Sequence, residues 1–417
     1  MGRALVRLID RRAAWHRRRV GGVTFVGVTG SCGKTTTKDL VAAVLARRGR
    51  VTSTPGTHNS SHWVARTVLA VRRGQAYCVQ ELGASGPGSL DAPIALVEPR
   101  IAVVTNIGSD HRSAFRTLDG TAGEKQKLVA AVPADGIAVL NADDPRVLAM
   151  ATACRGRVWT YGLSQAADVR AEQVTSEWPA HLSFIVRHGG AAETVRTRLN
   201  GVHFVHACLA AIATGLAVGL PLADAVDALA SVEPCTGRLS EVVAGGVTFV
   251  RDEFKAPLLS VGPAIEVLRT AHAPRKVAVF GTLSDYNGST SGMYSSVARQ
   301  ALDVADEVIF VGPQAERCRR ARTHPKGAAL HTFARLEDAS AHLERTLRPG
   351  DLVLLKGSQR ADHLLRLVLA RTTRMACWRT ECRRVKFCDA CLLLRVPPLP
   401  RFRRSRSVPA APELANG

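Results

Sequence analysis

Acidic residues are in short supply in this 417-residue sequence: 35 Asp and Glu stand against 56 Lys and Arg, for a formal net charge of +21. Long hydrophobic runs are missing too. The longest, Ala207 to Leu222, is interrupted by Gly215, Gly219 and Pro221 and is too short to cross a bilayer, so it reads as a buried helix and no membrane span is expected. The arginines between Arg3 and Arg19 are not followed by an apolar core and a small-residue cleavage site, as a secretory signal requires. Ten cysteines are too sparse for a disulfide scaffold. Six of them (Cys32, Cys78, Cys154, Cys208, Cys235, Cys318) are scattered singly and read as reduced thiols, which points to the cytoplasm. No internal repeat is visible.

What is present is a body with enough apolar content, 46%, to build real cores. Its charge is uneven. Residues 1–20 carry +6 and residues 371–417 carry +8, which leaves +7 for everything between. A central body of such modest charge is not the footprint of a nucleic-acid-binding protein. A basic tail of this kind could instead hold an acidic carrier or partner protein. A monomer is expected.

Hydrophobic patterning predicts strand, Gly/Thr-rich loop and helix over Val23–Val28 and Thr37–Ala46, the opening unit of a parallel sheet. Further strands are predicted at Ala76–Glu81, Ile101–Asn106 and Gly136–Asn141, with helices around Ser61–Val71 and Thr121–Val132. Alternation from Val169 to Leu199 predicts an antiparallel extension. A second series has strands at Val247–Arg251, Lys276–Gly281, Glu307–Val311 and Asp351–Lys356, and helices at Val261–His272, Met293–Val304 and Leu336–Leu347. The fold class is α/β: a P-loop ATPase-type, mostly parallel sheet domain, then a smaller Rossmann-like domain, then a short Cys-rich tail. The expected divisions are a basic leader (1–20), a central domain (21–240), a C-terminal domain (241–370), a Cys-rich module (371–395) and a disordered tail (396–417).

The strongest motif is Thr29-Gly30-Ser31-Cys32-Gly33-Lys34-Thr35-Thr36, between a strand and a helix. Glycines let successive backbone N–H groups turn inward around phosphate oxygens, and a helix N-terminus adds its positive end. In such a loop Lys34 reaches the β- and γ-phosphates and the Thr35 hydroxyl binds Mg²⁺. Strict spacing would place glycine where Val28 stands, so this is a variant loop. Cys32 fits as a small residue, with a redox role as the other reading.

From this loop onward the sequence resembles the Mur ligase family, the ATP-dependent amide ligases of peptidoglycan assembly. GSCGKTTTKDL is followed in order by ELGASGPGSL at 81–90, TNIGSDH at 105–111, GTAGEKQKL at 120–128, LNADDP at 140–145, GRLSEV at 237–242 and VLLKGSQR at 353–360. The nearest branch is the one that adds D-alanyl-D-alanine to the muramoyl tripeptide. The resemblance spans about residues 22–365. It implies an ADP-forming ligase that activates a small-molecule or peptide carboxylate as an acyl phosphate with ATP and Mg²⁺, then joins it to an amine. Glu81 and His111 become Mg²⁺ ligands. Lys125 becomes the lysine that many members carbamylate, with Lys127 as the rival assignment. Asn106 lies beside the loop, and Arg238, Asp252 and Lys356 approach the nucleotide from the second domain. Asn141, Asp143 and Asp144 resemble a structural turn.

The sequence also departs from that pattern. Arg251 to Leu258 (Arg-Asp-Glu-Phe-Lys-Ala-Pro-Leu) replaces an Asn-rich segment, keeping Asp252 and an aromatic at Phe254 while adding Lys255. His203 and His206 stand where asparagines are usual; each reads equally as a nucleotide contact or a helix-face histidine. Only about 20 residues precede the first strand, so the domain that holds a uridine-diphosphate sugar is not expected, and amino acids or peptides joined to other carboxylates are the preferred substrates. Finally, Cys377, Cys382, Cys388 and Cys391 have the spacing of a Cys₄ site, with zinc expected and an iron–sulfur cluster or plain thiols as the alternatives. The competing functional class is a non-catalytic or weakly ATP-hydrolysing regulator that uses this tail and the basic ends to bind nucleic acid or an acidic partner.

Overall fold

The computed structural model describes residues 3–109, 112–286, 288–379, 382 and 387–396. His111 and residues 397–417 therefore lie outside the described residues, and with them one expected Mg²⁺ ligand and nearly all of the expected disordered tail. Among the described residues no helix is long and apolar enough to cross a membrane.

Nine strands form the first sheet: β1 (Thr24–Thr29), β2 (Val51–Ser53), β3 (Tyr77–Glu81), β4 (Ile101–Val104), β5 (Ile137–Asn141), β6 (Arg157–Gly162), β7 (Val169–Thr175), β8 (Ser183–His188) and β9 (Ala191–Arg196). Their spatial order is β2-β3-β1-β4-β5-β6-β7-β8-β9. From β2 to β7 all neighbours run parallel, and β7-β8-β9 is an antiparallel meander. The chemistry of the strands explains this division. β3, β4 and β5 are buried along their whole length and β1 along nearly all of it, as helices on both faces of a parallel sheet require. In β7 and β8 buried residues alternate with more exposed ones, which suits a sheet with one wet face.

One face is covered by the helices Lys34–Leu45 and Val205–Ala217, which pack on each other. Gly215 makes their approach possible, because a Cβ there would lie 2.5 Å from Val44 Cγ1. The basic leader is itself an element: helix Arg3–Arg19 packs against helices Ser61–Ala70 and Asp91–Val97. His16 Nε2 lies 2.8 Å from the Val71 carbonyl, Arg17 Nε donates to the Val97 carbonyl (3.0 Å), and the Arg17 guanidinium sits 4.0 Å over the Phe25 ring.

The second sheet contains β10 (Ser240–Ala244), β11 (Val247–Asp252), β12 (Lys276–Phe280), β13 (Glu307–Val311), β14 (Leu330–Phe333) and β15 (Leu352–Lys356), in the order β10-β11-β15-β12-β13-β14. All pairs are parallel except the β10-β11 hairpin. The sequence reading did not anticipate β2, β6, β10 or β14; three of these are edge strands, and short or half-polar runs there lack the continuous apolar signal of an interior strand.

The two sheets share a core that runs from Val26 and Val28 through helix Val205–Ala217 to Val250, Ile265 and Phe280. Hydrogen bonds cross between them: the His272 N–H donates to the Trp178 carbonyl (2.7 Å), the Thr270 hydroxyl to the Ser176 carbonyl (2.9 Å), and Asn200 Nδ2 to the Leu239 carbonyl (3.1 Å). Leu209 is wholly enclosed in this shared core. Leu209→Ala is expected to cost about 3 kcal/mol, seen as a lower urea midpoint; an unchanged midpoint would show that this helix is not the keystone of the core.

Candidate active site

In an open parallel sheet, ligands bind beyond the carboxyl ends of strands where the crossover direction reverses. Here β1 lies between β3 and β4, and the phosphate loop leaves its end. Gly30 has φ 145°, and a Cβ there would lie 1.8 Å from Thr105 Oγ1, so only glycine fits against β4. Gly33, at φ 78° in the left-handed region, turns the chain into helix Lys34–Leu45 without a side-chain cap and leaves the helix N-terminus to a ligand.

The loop is pinned to the turn after β4. The Ser31 N–H donates to the Asn106 carbonyl (2.9 Å), the Cys32 N–H to Asn106 Oδ1 (2.9 Å), and the Thr105 hydroxyl to the Cys32 carbonyl (2.7 Å). Ser31 Oγ accepts from the Gly108 N–H at 2.8 Å. Lys34 Nζ folds back on the Gly30 and Ser31 carbonyls (2.6 and 3.0 Å), and Thr36 is buried behind it.

Glu81, at the end of β3, is 1% exposed. One carboxylate oxygen accepts from the Thr35 hydroxyl and the other from Asn59 Nδ2, both at 2.8 Å. Two adjacent oxygen donors of this kind, one hydroxyl and one carboxylate, fit a hard dication such as Mg²⁺. Sequence reasoning missed Asn59, and also Lys38, a buried lysine that donates to the Thr54 (2.6 Å) and Gly56 (3.1 Å) carbonyls and pairs with Asp39. Loss of solvation at Asp39 raises its carboxyl above the usual range, against the pull of Lys38.

The two candidate lysines of helix Leu118–Ala130 differ in environment. Lys127 is half-exposed and ion-paired with Asp91 (2.6 Å) and Glu124 (2.9 Å), while Lys125 is fully buried with its Nζ 6.0 Å from the Phe115 ring centre. Glu124 also accepts the Gly88 and Leu90 N–H groups, so it fixes the turn after β3.

From the second sheet, Lys356 at the end of β15 meets Asp252 at the end of β11. Lys356 Nζ lies 2.6 Å from Asp252 Oδ2 and also donates to Ser260 Oγ (2.8 Å) and the Lys255 carbonyl (3.2 Å). Burial pushes the Asp252 carboxyl up and the Lys356 ammonium down, and each partner opposes the other's shift. Ser260, which Lys356 bonds, adjoins Leu259, and Leu259 meets the Gly108 turn that holds Ser31 of the phosphate loop, so the pair stands opposite that loop. A Cβ on Gly108 would lie 2.5 Å from Leu259 Cδ2. Arg238 lies 4.9 Å over the Phe254 ring and acts electrostatically on Asp252.

The two histidines separate. His206 Nε2 is 2.8 Å from Asp143, whose carboxylate also accepts the Leu163 and Ser164 N–H groups, so His206 serves the turn. Asp144 caps helix Pro145–Ala149 and accepts the Ile107 N–H, and Asn141 Nδ2 donates to the Thr105 carbonyl. His203 is instead within electrostatic reach of Lys356, and its imidazole is pushed down to about 4, first by lost solvation and then by Lys356 and His206.

The four tail cysteines line one cavity of about 40 Å³ with His363, Arg366 and Arg379. Among the described residues, however, the only set of three potential metal-ligating atoms lying within 4.8 Å of one another is Glu307, His331 and His342, so the four sulfurs are not drawn to that spacing. Glu307 also pairs with Arg275, which bonds Asp351 in turn at 2.9 Å, so this set belongs to an ion-pair network at the start of β13.

A phosphate loop under one sheet and a lysine–aspartate pair brought over it by a second define a two-domain, nucleotide-dependent phosphoryl-transfer enzyme. Likeness to known proteins narrows this. Residues 28–215 match the Mur ligase middle domain and residues 237–359 match the domain described as Mur ligase, glutamate ligase domain; the chain belongs to the Mur ligase family. It is 34% identical over 375 residues to the UDP-N-acetylmuramoyl-tripeptide–D-alanyl-D-alanine ligase of Mycobacterium tuberculosis (strain CDC 1551 / Oshkosh), covering 82% of this chain and 71% of that one. It is 31% identical over 309 residues to the Escherichia coli (strain K12) enzyme of the same name, covering 72% and 67%. A crystal structure of MurF from Acinetobacter baumannii superposes with a TM-score of 0.79 at 25% identity, covering 87% of this chain and 79% of that one. The MurF ligase of Thermotoga maritima in complex with ADP shares the fold, with a TM-score of 0.76 at 24% identity, covering 89% and 85%. The protein is an ATP-dependent, ADP-forming amide ligase, and these likenesses lend no support to the regulatory alternative.

Two outcomes follow for the site. Gly30→Ala is expected to abolish Mg·ADP binding measured by calorimetry, since its methyl would collide with Thr105; retained affinity would mean that the loop can move off β4. Because the folded His203 stays neutral down to about pH 4 while the unfolded side chain protonates below about 6.5, its contribution to stability is present above pH 6.5 and is lost as pH falls toward 4. His203→Gln is therefore expected to flatten the decline of the urea midpoint between pH 6.5 and 4, and a parallel decline in both proteins would contradict this.

Proposed function

We propose that this enzyme activates a peptide carboxylate and joins it to an amino-acid or dipeptide amine, in a reaction of the type named for its mycobacterial and enterobacterial relatives. The observation that carries the reading is the Thr35–Glu81 hydrogen bond beneath the phosphate loop, with Lys356 and Asp252 facing it. Lys34, released from the Gly30 and Ser31 carbonyls, would bind the β- and γ-phosphates of ATP, and the backbone of Gly30 to Gly33 would cradle them. Thr35 and Glu81, with His111 and a carbamylated Lys125 as further ligands, would hold Mg²⁺, whose charge offsets that of the phosphates. Asn106 fixes the loop, Thr36 backs it, and Arg238, Asp252, Lys356 and His203 complete the nucleotide side.

In the first step a carboxylate oxygen of the acid attacks the γ-phosphorus, the bond from that phosphorus to the β,γ-bridging oxygen breaks, and ADP leaves. Lys34 and Arg238 stabilise the charge spread over the transferred group. In the second step the amine nitrogen attacks the carbonyl carbon of the acyl phosphate, phosphate departs with the shared oxygen, and the nitrogen loses a proton. Leu259 against Gly108 helps to exclude water that would hydrolyse the intermediate.

The tail cysteines are read as a structural zinc site. Four thiols around one cavity support it, as do arginine N–H groups directed at sulfur: Arg379 to Cys377 at 3.0 Å and Arg366 to Cys388 at 3.4 Å. Loading would draw the sulfurs closer than they stand here. Family membership and an ATP-consuming reaction support a cytoplasmic setting.

Hydroxylamine added with Mg·ATP and a panel of carboxylates, including the UDP-muramoyl tripeptide and free peptides, is expected to give a hydroxamate with one acid and without any amine. ATP hydrolysis indifferent to every acid would overturn the ligase chemistry. Lys125→Ala is expected to lower acid-dependent ADP release about 100-fold and to be rescued by short-chain carboxylic acids; full activity in the variant would remove Lys125 from the site.

A further inference from the structure

The cysteine-rich segment touches the end of β11, which supplies Asp252, and the turn and helix that follow β15, which supplies Lys356. On the β15 side, His363 and Arg366 follow the loop that leaves Lys356. Cys388 Sγ lies 3.5 Å from His363 Nδ1 and accepts from Arg366 Nε at 3.4 Å, while the other end of that guanidinium donates to the Arg379 carbonyl (2.7 Å). Arg366 is only 2% exposed, so its charge is enclosed between helix Leu365–Leu369 and the cysteine segment. On the β11 side, Phe387 packs on Phe254 with ring centres 6.3 Å apart, and the Arg251 guanidinium lies 5.3 Å over the Phe387 ring. Arg251 is itself held by Glu253, at 2.9 and 2.7 Å.

The other neighbours of Phe254 lead to the nucleotide site. Arg238 lies over the Phe254 ring, the Phe254 N–H donates to the Gly237 carbonyl (3.3 Å), and the Phe254 carbonyl accepts the Gln359 N–H (3.3 Å) from the loop after β15. Gly237 has φ 74°, and a Cβ there would lie 3.2 Å from Phe387 Cζ. Arg251, Phe387, Phe254 and Arg238 thus form one continuous series, two rings between two cations, that links Phe387 of the tail to the arginine assigned to ATP.

We infer that the cysteine segment is a metal-dependent strut of the nucleotide site: Phe387 seats Phe254, and so holds Arg238 and the Asp252–Lys356 pair toward the phosphate loop. Metal dependence rests on the zinc reading above. Phe387 is the immediate neighbour of Cys388, and the segment closes on itself through the Ala376 and Cys377 N–H groups to the Leu394 carbonyl (3.1 Å each) and the Leu394 N–H to the Cys391 carbonyl (3.0 Å). A metal bound by the cysteines would fix Cys388, and with it the position of the adjoining ring. Phe387 is a positioning residue and touches no substrate.

The test uses the full chain, with Mg·AMP-PNP as the probe in calorimetry and zinc counted by dye after release with a mercurial. Phe387→Ala is expected to keep one zinc and the wild-type melting temperature while binding Mg·AMP-PNP about tenfold more weakly. Phe387→Tyr is expected to restore binding. Stripping wild-type protein with a nitrogen-donor zinc chelator in excess Mg²⁺ is expected to give a loss of similar size, with little further loss in Phe387→Ala. Wild-type affinity in Phe387→Ala overturns the strut. A chain that binds no zinc, with Phe387→Ala still weakened, overturns the zinc reading and the metal dependence and upholds the contact itself.

Discussion

The hydrogen bond from the Thr35 hydroxyl to the Glu81 carboxylate joins the start of the first sheet's main helix to the end of β3, 46 residues later. A carboxylate this enclosed is costly unless its oxygens are partnered, and here Thr35 takes one oxygen and Asn59 the other. The arrangement depends on the β1-β3 register, which pairs Val28 with Glu81, and on Gly30, which lets the loop descend against Thr105. Phosphate cradle and cation ligands are thus products of one backbone geometry. The second sheet then needs only to bring a cation and its counter-ion to the open side, as Lys356 and Asp252 do.

The phosphate loop was legible because its chemistry is contiguous: glycines, Lys34 and Thr35 lie within six residues between a strand and a helix. Glu81 gained meaning only from the ordered series of family motifs, since a strand-end glutamate alone is ordinary. Asn59 left no local signal, and Lys38 and Thr105, although inside motifs, carried no assigned role; all three matter through parallel pairing of distant strands, which pattern does not reveal. Family resemblance alone favours Lys125 over Lys127; the two stand two residues apart on one helix, and the structure puts the first inside and the second in surface ion pairs. His203 and His206 were equivalent on paper and differ because only one of them meets Asp143. The leader helix was hidden by its seven arginines, although Ile9 and Ala13 give it an inward face that Val20, just past its end, continues.

The basic ends are connected to the ligase body in different ways. Arg17 of the leader is spent on backbone carbonyls and the Phe25 ring, so part of that charge has a packing role. At the tail, Arg379 and the helix residue Arg366 direct their N–H groups at cysteine sulfurs, and Phe387 carries the contact onward to Phe254. The Asn-rich segment expected by family resemblance has been replaced at Arg251 to Leu258 by residues that suit this contact, with Arg251 and Phe254 both facing Phe387.

The central claim is that a carboxylate is phosphorylated before the amide forms. The most direct measurement uses an acid labelled with ¹⁸O in its carboxylate, incubated with ATP and amine, followed by mass analysis of the inorganic phosphate. Attack on the γ-phosphorus transfers one labelled oxygen to the released phosphate, which is the predicted result. Unlabelled phosphate, with amide formed, would contradict the account.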